Sequence, residues 1–412
     1  MLVGYDCRES TPRLRDSLFR GLTDAGADVY DIGLSTTPMV YYATARKGFD
    51  ASVQITASHN PRNYNGFKIS RTGALPVGYD TGLAELEELV EKAAVQPVAF
   101  KGSLKEVPGV LDQYADFLSG FKADFSDLKV AVDCSNGMAS LLARRIFGPN
   151  AEYMFDELDG SFPNHPPNPL ELENTRALSR KVTEGSLDVG VIFDGDGDRV
   201  MFVDEGGNFV RPDIITAVLG MHFLSGGRGW VLHDIRTSRG VIEYIERLGG
   251  RPFMWKVGHS HAKLKMREIN AVYGGELAGH YYFRDFFNCD SGMLAAILVL
   301  NILSREKEKG VTFSDLTGKI SVYASSGELN FRIDDKKLAM KRVVDFFAGE
   351  EDPSAVYDFD GYRVEFPSWW FNIRPSNTEP YLRLVAEAEN SDILKDKLTE
   401  IRRIITGLGG RE

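Results

Sequence analysis

The feature that most limits the fold of this 412-residue chain is a regular alternation of short apolar strands and helices. In its first part, strand signals at residues 2–5, 29–32 and 52–55 are separated by helices that begin near Thr11 and Thr37. Such alternation builds strand–helix–strand units, in which neighbouring strands run parallel. The pattern therefore predicts an α/β fold with mixed, largely parallel sheets.

The chain is too long for one ordinary domain, and changes in the pattern divide it into four units. We predict domains at residues 1–104, 105–207, 208–318 and 319–412. The first three contain alternating strands and helices, and we expect α/β domains there. In the last unit, runs of strands with helices at the ends are typical of a smaller α+β domain.

Composition excludes several classes of protein. The chain has 48 basic and 59 acidic residues and a net charge of −11, which argues against a nucleic-acid partner. Cys7, Cys134 and Cys289 are odd in number and widely spaced, as expected of free thiols in a reducing compartment. No signal peptide is evident, and the longest apolar run, residues 293–300, is too short to span a bilayer. We expect a cytoplasmic protein without a membrane partner.

The segment 56–61 follows a strand and ends in a proline that disfavours a continuing helix, so Ser58 is expected on a loop. This loop lies at a strand's carboxyl end, where open α/β sheets bind ligands. Taken alone, a serine–histidine pair in a loop is more often a turn. Lys68 begins the next strand and is predicted either to point back at the serine or to lie on the surface. Three polar clusters further along the chain favour the functional interpretation.

The first cluster follows a strand at residues 188–193. Asp194, Asp196 and Asp198 alternate with glycines and are predicted to aim their oxygens at one point, as a hard divalent cation requires. Magnesium is preferred, because a bound phosphate would complete its coordination shell. A calcium loop of the EF-hand type is disfavoured, since Arg199 stands where that loop needs glycine and both flanks are strands. A purely structural hairpin would leave three carboxylates to repel one another.

The second cluster lies in the third unit, after strands. His259 and His261 are two residues apart at a predicted helix start, which points their rings apart, so contact with phosphate or sugar is favoured over a metal pair. Arg236 also follows a strand. Glu276 and His280 are surrounded by small residues, which allow a polyhydroxylated ligand to approach the backbone while Glu276 accepts from adjacent hydroxyls.

The third cluster, residues 374–380, lies between two strands of the last unit. One guanidinium, two hydroxyls and an amide within five residues predict an oxyanion cradle. The cradle is formed by Arg374, Ser376, Asn377 and Thr378. The alternative is a turn that is simply rich in turn-forming residues.

Together these segments resemble the α-D-phosphohexomutase family along the whole chain. Residues 56–61 resemble its phosphoserine loop, 194–199 its metal loop, 275–280 its sugar loop and 374–380 its phosphate loop. The resemblance implies three α/β domains around a central cleft and a smaller, mobile C-terminal α+β domain.

The resemblance also implies the reaction. A phosphohexomutase interconverts hexose 6-phosphate and hexose 1-phosphate through a phosphorylated serine, with hexose 1,6-bisphosphate as intermediate and activator and one Mg²⁺ per active site. The residues that match the family's functional positions are the catalytic group Ser58, Lys68, Arg199 and His280, the metal ligands Ser58, Asp194, Asp196 and Asp198, and the substrate contacts Glu276, His259, Arg236, Arg374, Ser376, Asn377 and Thr378.

Mannose is the expected hexose and glucose the second choice, because residues 281–285 resemble those of phosphomannomutases and dual-specificity enzymes. Ala278 replaces a serine that many phosphomannomutases carry. Phosphoglucosamine mutase is an alternative that Leu277 disfavours. We expect a monomer or a homodimer that binds small sugar phosphates.

One departure from the family concerns the first unit. Residues 4–8 match the family's second conserved segment, so its first strand and helix, with an arginine near the phosphoserine, are expected to be missing. This keeps open a truncated, non-catalytic sugar-phosphate-binding homologue. A metal-dependent phosphatase is a further alternative, but it would not need a second phosphate cradle.

Overall fold

The computed structural model describes residues 1–92, 96–376 and 380–412. Within these residues the strands form four main sheets, one of six strands and three of five. The sheets follow one another along the chain, so each predicted unit has a sheet of its own. The predicted fold class, three α/β domains followed by a C-terminal domain, is confirmed.

The first unit contains parallel and antiparallel strands. Its elements are β1 (Leu2–Tyr5), α1 (Thr11–Asp24), β2 (Val29–Leu34), α2 (Thr37–Lys47), β3 (Ala51–Ile55), β4 (Phe67–Arg71), β5 (Leu75–Pro76), α3 (Leu83–Glu91) and β6 (Leu104–Glu106). The strand order is β5-β4-β3-β1-β2-β6, and only β4 and β5 run antiparallel to their neighbours. Because β6 pairs with β2, this sheet extends to Glu106, and a domain boundary at residue 104 would cut a strand.

The second unit places its acidic turn at the end of a parallel core. Its elements are α4 (Val110–Ser119), β7 (Val130–Asp133), α5 (Ala143–Phe147), β8 (Glu152–Met154), α6 (Leu172–Gly185), β9 (Val189–Phe193), β10 (Val200–Asp204) and β11 (Phe209–Val210). Strands β7, β8 and β9 are parallel, whereas β10 is antiparallel to β9. Residues 194–199 are therefore the turn of a hairpin. Strand β11 pairs with β10, so this sheet reaches Val210, beyond the predicted boundary at residue 207.

The third unit has the sheet order β13-β12-β14-β15-β16. Its elements are α7 (Pro212–Phe223), β12 (Trp230–Asp234), α8 (Arg239–Arg247), β13 (Arg251–Trp255), α9 (His259–Glu268), β14 (Tyr273–Gly275), β15 (Tyr281–Phe283), β16 (Cys289–Asp290), α10 (Gly292–Lys307) and α11 (Phe313–Gly318). The sugar-loop residues 276–280 connect the antiparallel strands β14 and β15. Short 3₁₀ turns complete the first three units at Thr72–Ala74, Tyr79–Thr81, Met138–Leu141 and Arg284–Phe286.

The fourth unit is an antiparallel sheet with two helices, as expected of an α+β domain. Its elements are β17 (Ala324–Arg332), α12 (Lys336–Glu350), β18 (Ala355–Tyr357), β19 (Tyr362–Glu365), β20 (Trp369–Pro375), β21 (Tyr381–Ala388) and α13 (Ser391–Gly407). Asn390 caps α13, because its side chain accepts from the backbone N–H groups of Asp392 and Ile393.

The largest apolar clusters divide the molecule into a body and a smaller fourth unit. One continuous cluster extends through the first three units, from Leu2 to Ile320. Helix α10 lies in this cluster, and its residues 293–300 are all apolar and buried, as expected of a helix in a protein interior. The fourth unit has a core of its own.

No helix within the three described stretches is both long and apolar enough to cross a membrane.

The proline-rich segment 159–169 is an ordered loop that covers the start of the chain. A Cβ atom at Gly160 would lie 2.1 Å from the carbonyl oxygen of Cys7 and 2.6 Å from Cα of Arg8. The ring of Phe162 lies 5.0 Å from the guanidinium carbon of Arg8. The loop thus belongs to the packed structure and is not a linker between domains.

This close approach predicts that Gly160→Ala is destabilising. The added methyl group would push the loop away from the backbone of residues 7 and 8, and overpacking of this kind costs about 1–3 kcal/mol. Urea denaturation should show a lower midpoint. Gly21→Ala is the matched control, because nothing outside its own helix lies within 4 Å of the added Cβ and alanine is favoured over glycine inside a helix such as α1. An unchanged midpoint for Gly160→Ala would contradict the docking of this loop.

Candidate active site

Ser58 lies in a strained turn at the carboxyl end of β3. Its φ of +52° is in the left-handed region, which non-glycine residues adopt rarely. Its backbone N–H donates to Oγ1 of Thr56 at 2.9 Å, and its hydroxyl donates to Oδ2 of Asp194 at 2.8 Å. The serine of the first unit and the acidic turn of the second unit, 136 residues apart, are therefore in direct contact.

A buried arginine holds this loop in shape. The guanidinium of Arg8 donates to the carbonyl oxygens of Ser58 at 2.7 Å, Asn60 at 2.7 Å, Pro61 at 2.8 Å and Tyr64 at 3.2 Å. Its Nε donates to Asp6 at 3.1 Å. Sequence reasoning gave Arg8 no role. The available signal was its position after β1, because β1 and β3 are parallel neighbours and their carboxyl ends meet at one edge of the sheet.

The neighbouring His59 stays neutral in this setting. Its Nδ1 lies 3.4 Å from the hydroxyl oxygen of Ser58. The positive charge of Arg199, followed by burial, lowers the pKa of His59 to about 2. Because the imidazole of His59 is neutral, the charge in contact with the hydroxyl of Ser58 is that of the acidic turn, through Asp194.

The acidic turn has the properties of a site for a divalent cation. Asp194, Asp196 and Asp198 are fully buried, and one oxygen from each lies within 4.8 Å of the others. Oδ1 of Asp194 accepts from the N–H groups of Gly197 and Arg199. Oδ1 of Asp196 and Oδ1 of Asp198 have no hydrogen-bond partner among the described residues. Hard oxygen donors that lack a partner fit a cation such as Mg²⁺.

Lys68 supplies one positive charge to this turn. Its Nζ lies 2.6 Å from Oδ2 of Asp196 and 2.5 Å from Oδ2 of Asp198, and Thr37 also donates to Asp196. Burial alone lowers the pKa of Lys68, but the charges of Asp196 and Asp198 outweigh it and raise the pKa. Burial, with the neighbouring carboxylates, raises the pKa of Asp194. Lys68 and Ser58 therefore both contact the acidic turn.

The third unit joins this cluster through a chain of hydrogen bonds that ends on Asp290. Arg199 Nε donates to Nε2 of His280 at 2.9 Å, and Nδ1 of His280 lies 2.7 Å from Oδ2 of Asp290. The other oxygen of Asp290 lies 2.7 Å from Nζ of Lys263, with both side chains fully buried. Since Nε2 accepts from Arg199, Nδ1 carries the proton and donates to Asp290. Sequence reasoning found His280 and Arg199 but missed Asp290 and Lys263, which no motif marks.

Glu276 and His259 flank His280. One carboxylate oxygen of Glu276 accepts from the N–H of Gly258 at 2.6 Å and the other from the hydroxyl of Tyr282 at 2.8 Å. Burial raises the pKa of Glu276. The ring centroids of His259 and His280 are 5.8 Å apart, and Nδ1 of His259 is buried with no hydrogen-bond partner in the described parts of the chain. Burial and then Lys263 lower the pKa of His259 to about 3, so this ring is neutral.

Arg374, the first residue of the segment 374–380, lies close to Arg236 of the third unit, and both approach Glu328. Arg236 is held by Asp234, and its NH1 donates to Oε2 of Glu328 at 3.1 Å. NH2 of Arg374 lies 3.8 Å from the same oxygen of Glu328. The N–H of Ser376 donates to the carbonyl oxygen of Tyr381 at 2.8 Å, which closes the base of the loop. Two further predicted cradle residues, Asn377 and Thr378, lie outside the described residues.

This geometry defines a chemical class. Phosphoryl transfer requires a positioned nucleophile, a cation that offsets the charge in transfer and donors that hold phosphate oxygens. A serine hydroxyl in contact with a turn whose oxygens fit a divalent cation corresponds to the first two requirements. The planar guanidinium groups of Arg236 and Arg374 match the oxygens of a phosphate, which corresponds to the third. The arrangement is the one expected of a metal-dependent phosphoryl-transfer enzyme.

Comparison with known proteins gives the family. Models of the phosphoglucomutase/phosphomannomutase domains match in chain order: α/β/α domain I over residues 1–96, domain II over 112–207, domain III over 211–323 and the C-terminal domain over 328–404. The chain therefore belongs to the phosphoglucomutase/phosphomannomutase, or α-D-phosphohexomutase, family, as its motifs predicted.

Individual relatives agree with this assignment. A phosphomannomutase of Vibrio cholerae serotype O1 is 38% identical, with 99% of this chain and 90% of the relative covered. A phosphomannomutase of Methanocaldococcus jannaschii is 35% identical over 99% of this chain and 90% of its own length. A crystal structure of a phosphoglucomutase/phosphomannomutase family protein from Burkholderia thailandensis has a TM-score of 0.86 at 31% identity and covers 99% of this chain and 89% of that chain. The protein is an enzyme that catalyses intramolecular phosphoryl transfer.

The contacts of Arg8 generate a prediction for this enzyme. Arg8→Lys keeps the charge but removes the planar fork, so several loop carbonyls lose their donor, and hydrogen bonds to a charged group contribute about 1.5–3 kcal/mol each. We expect kcat to fall by about tenfold or more, because the hydroxyl of Ser58 is misplaced. Steady-state kinetics with glucose 1-phosphate or mannose 1-phosphate measure it.

Arg15→Lys is the matched control, because Arg15 is partly exposed on α1 and its guanidinium bonds Asp16 and Tyr5. It should behave as the parent enzyme. If Arg8→Lys retains full kcat, the arginine does not position the serine loop.

Proposed function

We propose that this enzyme interconverts hexose 6-phosphate and hexose 1-phosphate, with mannose the preferred sugar and glucose the second. The observation that carries the proposal is the contact between the hydroxyl of Ser58 and Oδ2 of Asp194 at 2.8 Å, beside a turn that fits a divalent cation. Relatives named phosphomannomutase at 35–38% identity support mannose as the first choice.

Ser58 is the group that carries the phosphoryl between turnovers. Phosphorylated Ser58 transfers its phosphoryl to the free hydroxyl of a hexose monophosphate, and the bisphosphate so formed returns its other phosphoryl to the serine. When bound by Asp194, Asp196, Asp198 and a phosphoserine oxygen, Mg²⁺ would offset negative charge on the group in transfer. Arg199 assists, since its backbone N–H bonds Asp194 and its side chain bonds His280.

Lys68 and His280 are the proposed acid and base at the sugar hydroxyls. In the structure Nε2 of His280 accepts from Arg199, so proton transfer at that atom requires the guanidinium to move aside. The bond from Nδ1 to Asp290 keeps the ring oriented while it does so. Nζ of Lys68 lies between Asp196 and Asp198, where it can donate to an oxygen at the transferring group.

The sugar and the phosphate that is not reacting are bound by the third and fourth units. Glu276 is proposed to accept from two adjacent ring hydroxyls, because each of its oxygens keeps a second lone pair. His259 and Arg236 line the same side. Arg374 and Ser376, with Asn377 and Thr378, are proposed to hold the phosphate.

Mass spectrometry tests the central step. We expect a phosphoryl group on Ser58 in peptide maps of the purified enzyme, and its exchange with ³²P-labelled glucose 1,6-bisphosphate. Ser58→Ala should lack both the label and the activity. Ser140→Ala, which removes another buried hydroxyl outside this site, should keep both.

A product assay separates the mutase from a phosphatase: the mutase forms mannose 6-phosphate from mannose 1-phosphate without release of inorganic phosphate. Comparison of kcat/KM for mannose, glucose and glucosamine 1-phosphates tests the sugar. Phosphate release as the main product would overturn the proposal.

The acidic turn predicts dependence on a divalent cation. Treatment with EDTA should abolish turnover and added Mg²⁺ should restore it. Asp196→Asn should lower kcat by about a hundredfold or more, because charge stabilisation by a metal contributes several kcal/mol. Asp112→Asn, on the exposed face of α4, removes one carboxylate without touching the turn and should have no effect. Full activity in metal-free buffer would disprove the assignment.

A further inference from the structure

One carboxylate lies among three arginine side chains at the junction of the third and fourth units. Glu328, in β17, lies 3.1 Å from Arg236, 3.8 Å from Arg374 and 3.2 Å from Arg383. Arg236 comes from the third unit and the other two from the fourth. Glu328 matches none of the sequence motifs, and no step of the proposed function uses it.

Glu328 is shared by the guanidinium groups of this cluster. Asp234 is occupied by the backbone and side chain of Arg236 and by the N–H of Leu277. Among the described residues, Glu328 is the carboxylate that lies within 4 Å of both Arg374 and Arg383. Burial and the charge of Arg236 lower the pKa of Arg374, and Glu328 opposes that shift. Without an anion at this point, guanidinium groups from two domains would repel one another.

The guanidinium atoms that Glu328 contacts are those that a phosphate would use. NH1 of Arg236 donates to Glu328, and NH2 of Arg374 faces the same carboxylate oxygen. Nε of Arg374 is buried and has no hydrogen-bond partner within residues 1–92, 96–376 and 380–412. Both arginines are proposed above to hold the phosphate that is not reacting. A phosphate and the carboxylate of Glu328 thus compete for the same donors.

We propose that Glu328 is a built-in counter-anion of the phosphate-binding arginines, exchanged for the substrate's phosphate when the sugar binds. This inference rests on the proposed function. In each turnover the bisphosphate must present its second phosphoryl to Ser58, so the phosphate held by Arg374 has to leave these donors. A carboxylate that re-forms the contacts at once stabilises the vacated arginines. Glu328 thereby weakens phosphate binding and speeds release.

Glu328→Gln tests this role, because glutamine keeps the size of the side chain and removes its charge. Loss of one opposing charge at a partly exposed pair should tighten binding of inorganic phosphate, measured by calorimetry and as competitive inhibition, by about fivefold. The same variant should have a lower KM for glucose 1-phosphate and a lower kcat, because release is slower. Glu328→Asp keeps the charge and should recover part of the kcat.

Two controls separate this role from others. Glu400→Gln removes an equal charge from the surface of α13, where the carboxylate contacts Arg403. It should alter neither the affinity for inorganic phosphate nor kcat. In an Arg374→Gln background, Glu328→Gln should no longer tighten phosphate binding, which locates the effect at the arginines. A residue that merely supports the arginines would, on replacement, weaken phosphate binding.

In the active enzyme, tighter phosphate binding with a lower kcat supports the inference, and any other combination of the two overturns it. The calorimetric arm needs no turnover. If the chain lacked mutase activity but Glu328→Gln still tightened phosphate binding in an Arg374-dependent manner, the proposed reaction would fail while the counter-anion role stood. If the enzyme were active and Glu328→Gln left its phosphate affinity unchanged, the counter-anion role would fail while the proposed reaction stood.

Discussion

Three carboxylates buried at one turn are the constraint on which the rest of this structure depends. Removing a carboxylate from water costs several kcal/mol even after relaxation, so about that much must be recovered for each of Asp194, Asp196 and Asp198. Two backbone N–H groups, the hydroxyls of Thr37 and Ser58 and the ammonium of Lys68 recover part of it. A bound divalent cation would recover more, and it would then couple the stability of the turn to the proposed chemistry.

The same constraint explains how three units form one body. Partners of the acidic turn come from β4 and the Ser58 loop of the first unit and from the sugar loop of the third, where His280 forms a β-bridge with Arg199. The apolar cluster around α10 runs beneath all three. Apolar burial stabilises the body without fixing directions, whereas the charged groups fix the positions of the loops. Such directional contacts suit a site whose atoms must be placed to fractions of an ångström.

The sequence was sufficient for features whose cause is local. The residues that mark the acidic turn and the Ser58 loop lie within a few positions of one another in the sequence, and strand–helix alternation predicts the fold class. Arg8, Asp290 and Glu328 escaped prediction because their partners lie far along the chain: the Arg8 guanidinium bonds carbonyls 50 to 56 residues away, and Glu328 meets an arginine at a separation of 92. The domain boundaries near residues 104 and 207 stay predictions, because strands β6 and β11, which lie beside them, are too short to give a periodic signal.

The attachment of the fourth unit follows a different physical rule. Its core is separate, and directional polar bonds join it to the third unit beside an aromatic stack between Trp255 and Phe359. Arg363 donates to the carbonyl oxygens of Ile235 and Thr237, and Asp360 accepts from the N–H of Val257. Such bonds are exchanged for bonds to water at little net cost, unlike apolar contact, so they can select one orientation without making it permanent. The ion pair between Arg236 of the third unit and Glu328 of the fourth follows the same rule. Its attraction would be lost if a phosphate took the place of Glu328 on the guanidinium group.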